Sequence, residues 1–456
     1  MDLIKDFLDR CRQDVKKIAC VGDSIVDEYY EVSVNRISPE FPMPIMHSSK
    51  EEPVVRPGGV ANVAYQYNNF DIKPFLVTLL DVKSSELFWA YNLDLNFSEV
   101  SQSVQCPVKK RFLDTGIQVK RWDVESKNFS LSNEDLEELQ NKTLGKANFD
   151  CDVVVFSDYD KGFFNGTKQE WIERFPDAIK IVDPKNGPVE DWFGCNIFKP
   201  NAKEAFLLSG YKDWKKQCLF FSNVLECDSV VITQAGDGVV GYIREDLEYF
   251  QASCGKQVKV ESVVGAGDCF AAFFSAAIAH GFSVIEASEI GFNAGSIYVK
   301  NNMNRPIVPA EFNEDGIVKP EDLVNRDFKL TFTNGVFDIL HSGHIKTLKF
   351  AAEKSEKLVV AINSDESVRR LKGEGRPIKP LSERMAVVSA LEMVDFVVSF
   401  DEDTPLEVIK RCVPNVLVKG ADYELDEIVG ADIVKEVYQA PLAEGISTTE
   451  LINKFN

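Results

Sequence analysis

Short, nearly unbroken apolar runs alternate with longer stretches of helical periodicity through most of the chain. KKIACVG (16–22), DVVVFS (152–157), IKIVD (179–183) and SVVIT (229–233) form a first series. LTFT (330–333), KLVVAI (357–362), DFVVSF (395–400) and NVLVK (415–419) form a second. Runs this apolar are buried on both faces, so they predict parallel sheets covered by helices. A different texture occupies YYEVSVNRI (29–37) and CPVKKRFLDTGIQVKRWDV (106–124). Apolar and charged residues alternate there with period two, as in a sheet with one wet face. These stretches predict a small β-lid, from about 29–56 and 106–124, attached to the first α/β unit.

Between Asn301 and Asp327 the pattern lapses into a stretch rich in Asn, Pro and acidic residues, and a fresh strand starts at Lys329. That predicts a boundary near 320–328 and two domains, 1–325 and 326–456. The formal charge of −21 makes nucleic acid and anionic membranes poor partners, so any phosphate site must be built locally from backbone amides and a few cations. Ten cysteines without a CxxC pair, and no apolar run of the roughly 18–20 residues that span a bilayer, read as a cytoplasmic protein.

In the first domain, SVVGAGDCFAAFFSAAIAH (262–280) passes from a strand-like approach through Gly265, Ala266, Gly267 and Asp268 into a small-residue helix. Glycines allow the sharp turn, and the helix N-terminus adds about half a positive charge, which together make a cradle for a phosphoryl group. Asp268 in the first turn can accept a proton from an attacking hydroxyl. Gly58 and Gly59 precede a helix carrying Asn62, while Asp23 and Asp27 lie just past a strand end. Asn201 and Glu204, three apart, suit one magnesium–water cluster. Arg36, Lys109, Lys110 and Arg111 offer cations for an anionic sugar phosphate on an acidic surface.

The order and spacing of these fragments resemble the ribokinase-like (PfkB) family of sugar kinases. That resemblance implies a ribokinase-like sandwich with a lid, Asp268 as catalytic base, and Gly265, Ala266 and Gly267 as anion hole. It implies sugar contacts from Asp27, Arg36, Gly58, Gly59, Asn62, Lys109 and Arg111. Gly236 of TQAGDG would lie near the ATP phosphates, Asn201 and Glu204 near Mg²⁺, and the lid would pair two copies of the chain as a homodimer. Ser262-Val263-Val264 stand where many members carry polar residues.

In the second domain, TNGVFDILHSGHIK (333–346) sets His341 and His344 three apart at a probable helix start after a strand. Residues so spaced converge on one point facing an anion-binding helix end, and histidine readily becomes a cationic donor. A zinc reading needs a third ligand, for which Asp338 would have to serve. INSDESVRRLKGEGRPIKPLSERM (362–385) adds Arg369, Lys372, Arg376, Lys379 and Arg384, a basic cluster in an acidic chain.

GVFDILHSGH is similar to the GxFDxxHxGH motif of the cytidylyltransferase-like nucleotidyltransferases, which implies a Rossmann-like domain with His341 and His344 at the reacting phosphate. It also implies nucleotide contacts from Asn334, Gly335, Phe337, Asp338 and Lys346. Asn363, Asp365, Arg369, Lys372, Arg376 and Arg384 would supply others from the basic stretch. Lys419 and Asp422 of VKGADY and Ser447, Thr448 and Thr449 of EGISTTEL would complete the set. The collinear order of all these motifs resembles the fused family of heptose 7-phosphate kinase and heptose 1-phosphate adenylyltransferase, using Mg²⁺ and ATP. The alternative keeps both chemistries on another sugar, polyol or sugar acid, with CTP as donor. A further alternative makes the first domain a dimerisation scaffold without activity.

Overall fold

Strands form where the apolar runs lie, because residues such as Ile18, Cys20, Val154 and Phe156 can be buried only between layers of helices. The computed structural model describes residues 3–48, 52–125, 133–147, 149–253, 260, 262–300, 304–420 and 428–441. It divides into two units, Met1–Ile307 and Val308–Asn456. Among the described residues no helix is long and apolar enough to cross a membrane.

In the first unit eight strands pair in the order Glu248–Ala252, Val239–Ile243, Ser229–Thr233, Ile197–Phe198, Ile179–Asp183, Val153–Ser157, Lys16–Gly22 and Ile72–Val77. The ladder is parallel up to Ser229–Thr233; the last two edge strands are antiparallel, a departure from the all-parallel expectation. The cause is the short turn through Ala235–Asp237 and Gly238, which can join only antiparallel neighbours. Gly238 has φ +102°, and a Cβ there would stand 2.5 Å from the carbonyl of Ala252. Helix Ala266–Ala279 is apolar or small all round, and it is buried from Asp268 to Ile278 as such a helix must be.

The lid is a second sheet of Ser24–Ile37, Pro44–Ser48, Val54–Gly59, Val108–Asp114 and Ile117–Val124. Strand Ser24–Ile37 is buried over its first six residues and then alternates, so a single strand runs out of the core into the lid.

The second unit has five parallel strands in the order Phe396–Phe400, Lys357–Asn363, Leu330–Gly335, Val416–Gly420 and Glu436–Ala440. Along Lys357–Asn363, Val359 and Ala361 join one apolar cluster while Leu358, Val360 and Ile362 join another, so both sheet faces are covered.

The division at Ile307/Val308 lies ahead of the expected 325/326 boundary. The intervening stretch is irregular, yet Val308, Ala310, Val318 and Leu323 pack with Phe328, Leu330 and Phe396. Its backbone also pairs with a strand of the second sheet, Val318 N–H to Val397 O at 3.0 Å and Val397 N–H to Gly316 O at 2.8 Å. A fragment 308–456 should therefore unfold cooperatively in urea, whereas 326–456 should be less stable by at least about 3 kcal/mol, since two fully buried aliphatic side chains contribute roughly 1.5–3 kcal/mol each. Equal midpoints for the two fragments would contradict this assignment.

Candidate active sites

In the first sheet the strand order reverses on either side of Lys16–Gly22, and the strand ends there carry Asp23 and the loop after Ser157. Such a reversal opens a crevice at the carboxyl edge of an α/β sheet. Asp23 is buried and accepts the backbone N–H groups of Tyr159, Lys161 and Phe163 at 2.9, 3.1 and 3.0 Å. Burial and then Asp158 push its carboxyl up to about 6, against those three donors. Asp23 thus shapes the 159–163 loop.

That loop delivers Tyr159 to Asp268. The Tyr159 hydroxyl donates to Oδ1 of Asp268, and the Asn62 amide donates to Oδ2 at 2.8 Å. Burial raises the Asp268 carboxyl above its ordinary range, while these donors and then Lys109 pull it back. Gly265, in the left-handed region at φ +75°, caps the helix; a Cβ there would stand 2.6 Å from the Tyr298 hydroxyl and 2.8 Å from both Asn304 Oδ1 and Asn62 Nδ2. The Ala266 N–H turns back to the Val263 carbonyl at 3.3 Å, which leaves the first-turn amides of Gly267 and Asp268 at the helix end. A Cβ on Gly267 would meet nothing within 4 Å, so space is open above that turn.

The lid sorts the expected cations by strand alternation. Lys109 and Arg111 face inward, and Lys110 turns to Glu28 at 3.4 Å on the other side. Arg111 is spent on Asp27, with Nη2 2.9 Å and Nε 3.2 Å from Oδ1, both side chains buried. The other Asp27 oxygen accepts from Asn304 Nδ2 at 2.8 Å, and a Cβ on Gly58 would lie 2.4 Å from that oxygen. Gly59, φ +60°, starts the helix Val60–Gln66 that carries Asn62. Lys109 is the inward cation left facing Asp27 and Asp268. Arg36 is exposed nine residues beyond Asp27 on the same strand, roughly 30 Å away along an extended chain. It is not brought to the cluster.

Asn201 and Glu204 form a reciprocal cap at the start of helix Ala202–Ser209. Glu204 also pairs with Lys185 at 2.8 Å. A bridge from Asn201 to Thr233 sets the exposed Gly236 turn beside them. Sequence reasoning assigned no role to Asp183, which pairs with the buried Lys199 at 3.0 Å. Burial raises Asp183 to about 7, Lys199 opposes, and Glu204 and Asp268 add to the rise. The signal for Tyr159 and Asp183 was available: each ends or follows an apolar strand at the ligand edge, in SDYDKG and VDPKNG.

In the second sheet the order reverses at Leu330–Gly335, between Lys357–Asn363 and Val416–Gly420. Asn334, Gly335 and Lys419 therefore share one carboxyl edge. Helix Ser342–Ala352 begins there with His341 at its N-cap position and no side-chain cap. The two rings stack, centroids 3.8 Å apart, and Phe337 lies 5.1 Å from His344. A Cβ on Gly335 would meet the Phe337 ring at 3.0 Å. The structure corrects the charge expected of the pair. Burial, then His341 and Lys372, lower His344 to about 4 against the backbone of Ile339, and burial lowers His341 as well. Both rings are neutral near pH 7, and by hydrogen-bond geometry each Nδ1 is buried without a partner among the described residues.

Asp338 is a loop anchor. It accepts the backbone N–H of Ile378 at 2.8 Å and of Lys379 at 2.9 Å, and Arg376 Nε at 2.8 Å. Burial raises its carboxyl, but these three partners outweigh it and hold it below the usual range. Among the described residues no group of three metal-ligating side chains occurs. Arg384 is likewise internal: it donates to the carbonyls of Lys379, Val336 and Asn363 and to Asp365 at 2.6 Å. Asn363 donates to Ser367 at 3.1 Å. Lys372 faces His344 electrostatically and Arg376 faces Lys372, and Arg376 Nη2 is buried without a partner among the described residues. Lys346 and Arg369 are exposed on their helices. Asp422, Ser447, Thr448 and Thr449 lie outside the described residues.

Residues 15–309 match the family model for pfkB family carbohydrate kinases, and residues 332–454 match the cytidylyltransferase-like model. The chain is 32% identical to the bifunctional protein HldE of a Nitratiruptor species, over 96% of this chain and 98% of that one. It is 33% identical to the bifunctional protein HldE of Campylobacter jejuni subsp. jejuni serotype O:6, over 98% and 99% respectively. Phosphofructokinase-2 from Escherichia coli shares the fold of the first unit, with TM-score 0.53 and 17% identity over 65% of this chain and 96% of that one. The chain belongs to the HldE family of bifunctional proteins, an enzyme that joins a pfkB-type carbohydrate kinase to a cytidylyltransferase-like nucleotidyltransferase.

Proposed function

We propose that the chain activates a heptose in two steps, phosphorylating heptose 7-phosphate at O1 with ATP to give the 1,7-bisphosphate and, once a separate phosphatase has removed the 7-phosphate, transferring an adenylyl group from ATP to heptose 1-phosphate, giving ADP-heptose and pyrophosphate. The observation that carries this reading is the family match over nearly the whole chain to bifunctional relatives; a helix N-terminus without a side-chain cap in each unit supports it. In the first step the O1 hydroxyl gives its proton to Asp268 as the O1–phosphorus bond forms and ADP leaves. The amides at the Gly265–Gly267 turn steady the transferring group. Lys109 offsets the charge of the sugar phosphate. In the second step an oxygen of the sugar 1-phosphate attacks the α-phosphorus, while His341, His344, Lys372 and Arg376 receive the growing charge.

Glu204 and Asp268 raise the cost of charge on Asp183, a surplus of carboxylates that fits a divalent cation. Asn201 and Glu204 would hold Mg²⁺ through water, where it shields the ATP phosphates from those carboxylates. Cys20, Cys151 and Cys412 are free thiols, which suits a reducing cytoplasm. The lid exposes Ile37, Phe41, Met43, Ile117, Val119 and Trp122, apolar surface suited to pairing with the lid of a second copy.

With ATP and heptose 7-phosphate, ³¹P NMR should show the 1,7-bisphosphate; with heptose 1-phosphate, it should show pyrophosphate from ATP and none from CTP. Asp268→Asn should abolish the first product, and His344→Ala should abolish pyrophosphate while sparing the kinase. Loss of both activities in one folded variant would break the two-site reading. Four histidines make ring titration by NMR practical. His344 should titrate near 4 without nucleotide and rise by about 1–3 units with a bound triphosphate. Because the unfolded ring binds its proton first, this group stabilises the fold fully above its ordinary value near 6.5 and less as pH falls toward 4. A ring titrating near 6.5 in the free chain would refute the buried-pair geometry. Light scattering should give about twice 51.2 kDa, and Trp122→Glu should give the monomer; a monomeric wild type would exclude lid pairing.

A further inference from the structure

The catalytic carboxylate is not met by substrate alone. We infer that Tyr159 is a positioning residue of the kinase step, its hydroxyl holding Asp268 ionised and turned toward the acceptor hydroxyl. This rests on Asp268 being the base.

Three features converge on it. The Tyr159 hydroxyl donates to Oδ1 of Asp268, leaving Oδ2 to Asn62. The loop carrying Tyr159 is clamped by Asp23 through three backbone N–H groups. The ammonium of Lys109 sits 5.3 Å from the Tyr159 ring centroid, so the ring also seats the lid cation that faces Asp268. With both oxygens oriented by donors, the remaining lone pairs of Asp268 are fixed in direction. The phenol keeps its proton throughout: burial, then Asp268 and Asp183, put its ionisation well above the ordinary range. Tyr159 therefore never takes the substrate proton. That proton passes from O1 to Asp268 as the new bond to phosphorus forms and the bond to ADP breaks.

The groups facing Asp268 act in both directions. Lys109 of strand Val108–Asp114, Tyr159 and Asn62 favour its anion; burial and Asp27 of strand Ser24–Ile37 oppose it. Asp183, at the end of its strand, and Tyr298, on helix Val284–Tyr298, also lie within its field. Glu204, on helix Ala202–Ser209, faces Tyr159. Removing the Tyr159 hydroxyl takes away a donor to the charged form, so the Asp268 carboxyl rises and the base is lost at a higher pH.

The test uses the full chain, with kinase kcat and KM followed from mildly acid to mildly basic pH. Tyr159→Phe should move the acid limb of kcat up by about one pH unit, a roughly tenfold loss at its low-pH end. The KM for ATP and the adenylyltransferase rate should stay unchanged. 3-Fluorotyrosine in place of Tyr159 keeps the ring and strengthens the donor, so it should move the limb to lower pH and guards against a folding artefact. An active Tyr159→Phe chain whose acid limb coincides with wild type overturns the role of Tyr159 alone. A wild-type chain that never phosphorylates heptose 7-phosphate, under conditions where its transferase is active, overturns the kinase reading beneath it.

Discussion

A chain with a formal charge of −21 must hold polyphosphates next to carboxylates it cannot dispense with. Between like charges a few ångströms apart the repulsion amounts to about 4 kcal/mol in a partly screened site. The first site meets this constraint with direction more than with charge. Arg111 cancels Asp27 and Lys199 cancels Asp183, so neither guanidinium nor ammonium is surplus there. Helix-end amides and the inward Lys109 remain, and Lys109 stands on a lid strand. The lid therefore supplies positive charge, and in the proposed kinase step sugar binding and base ionisation would depend on the same side chain.

In the second site burial disfavours charge on the histidines and on Lys372. Burial keeps His341 and His344 neutral, and Lys372 is lowered by burial and by Arg376 beside it. Such groups repel one another when protonated together, and an arriving triphosphate reverses that balance. Two stacked rings and an uncapped helix end would thus, under the proposed transfer, form a preorganised receptor whose charge develops with the phosphate's own.

Much of this was legible along the chain. Unbroken apolar runs located the parallel strands because burial on both faces tolerates nothing else, and Gly265-Ala266-Gly267-Asp268 announced its turn through glycines that close packing demands. Alternation could have separated Lys109 and Arg111 from Lys110, since neighbouring strand residues face opposite ways. What a linear reading cannot supply is burial of charge. Arg384 and Asp338 sit among motif residues and look like ligands, yet each is consumed inside the protein. The division at Ile307/Val308 differs from the expected boundary for a related reason: 308–327 looks like linker by composition, while its few apolar residues pack with Phe328 and Phe396. Tyr159 stayed hidden because its role depends on Asp23, far away in sequence, folding its loop.

Asp23 and Asp338 bring the two sites under one rule. Each is a buried carboxylate beyond the end of a strand, and each gathers backbone N–H groups of a distant loop: Tyr159, Lys161 and Phe163 in one case, Ile378 and Lys379 in the other. The gathered loop then carries a side chain toward the proposed site, Tyr159 to Asp268 and Arg376 to Lys372, which faces His344. A carboxylate bound by several amides is desolvated and directionally saturated, so its charge is largely contained where it sits. That is how a strongly acidic protein can place acids beside phosphate sites without repelling the phosphates: the acids serve as internal anchors, and what they turn toward the ligand are donors.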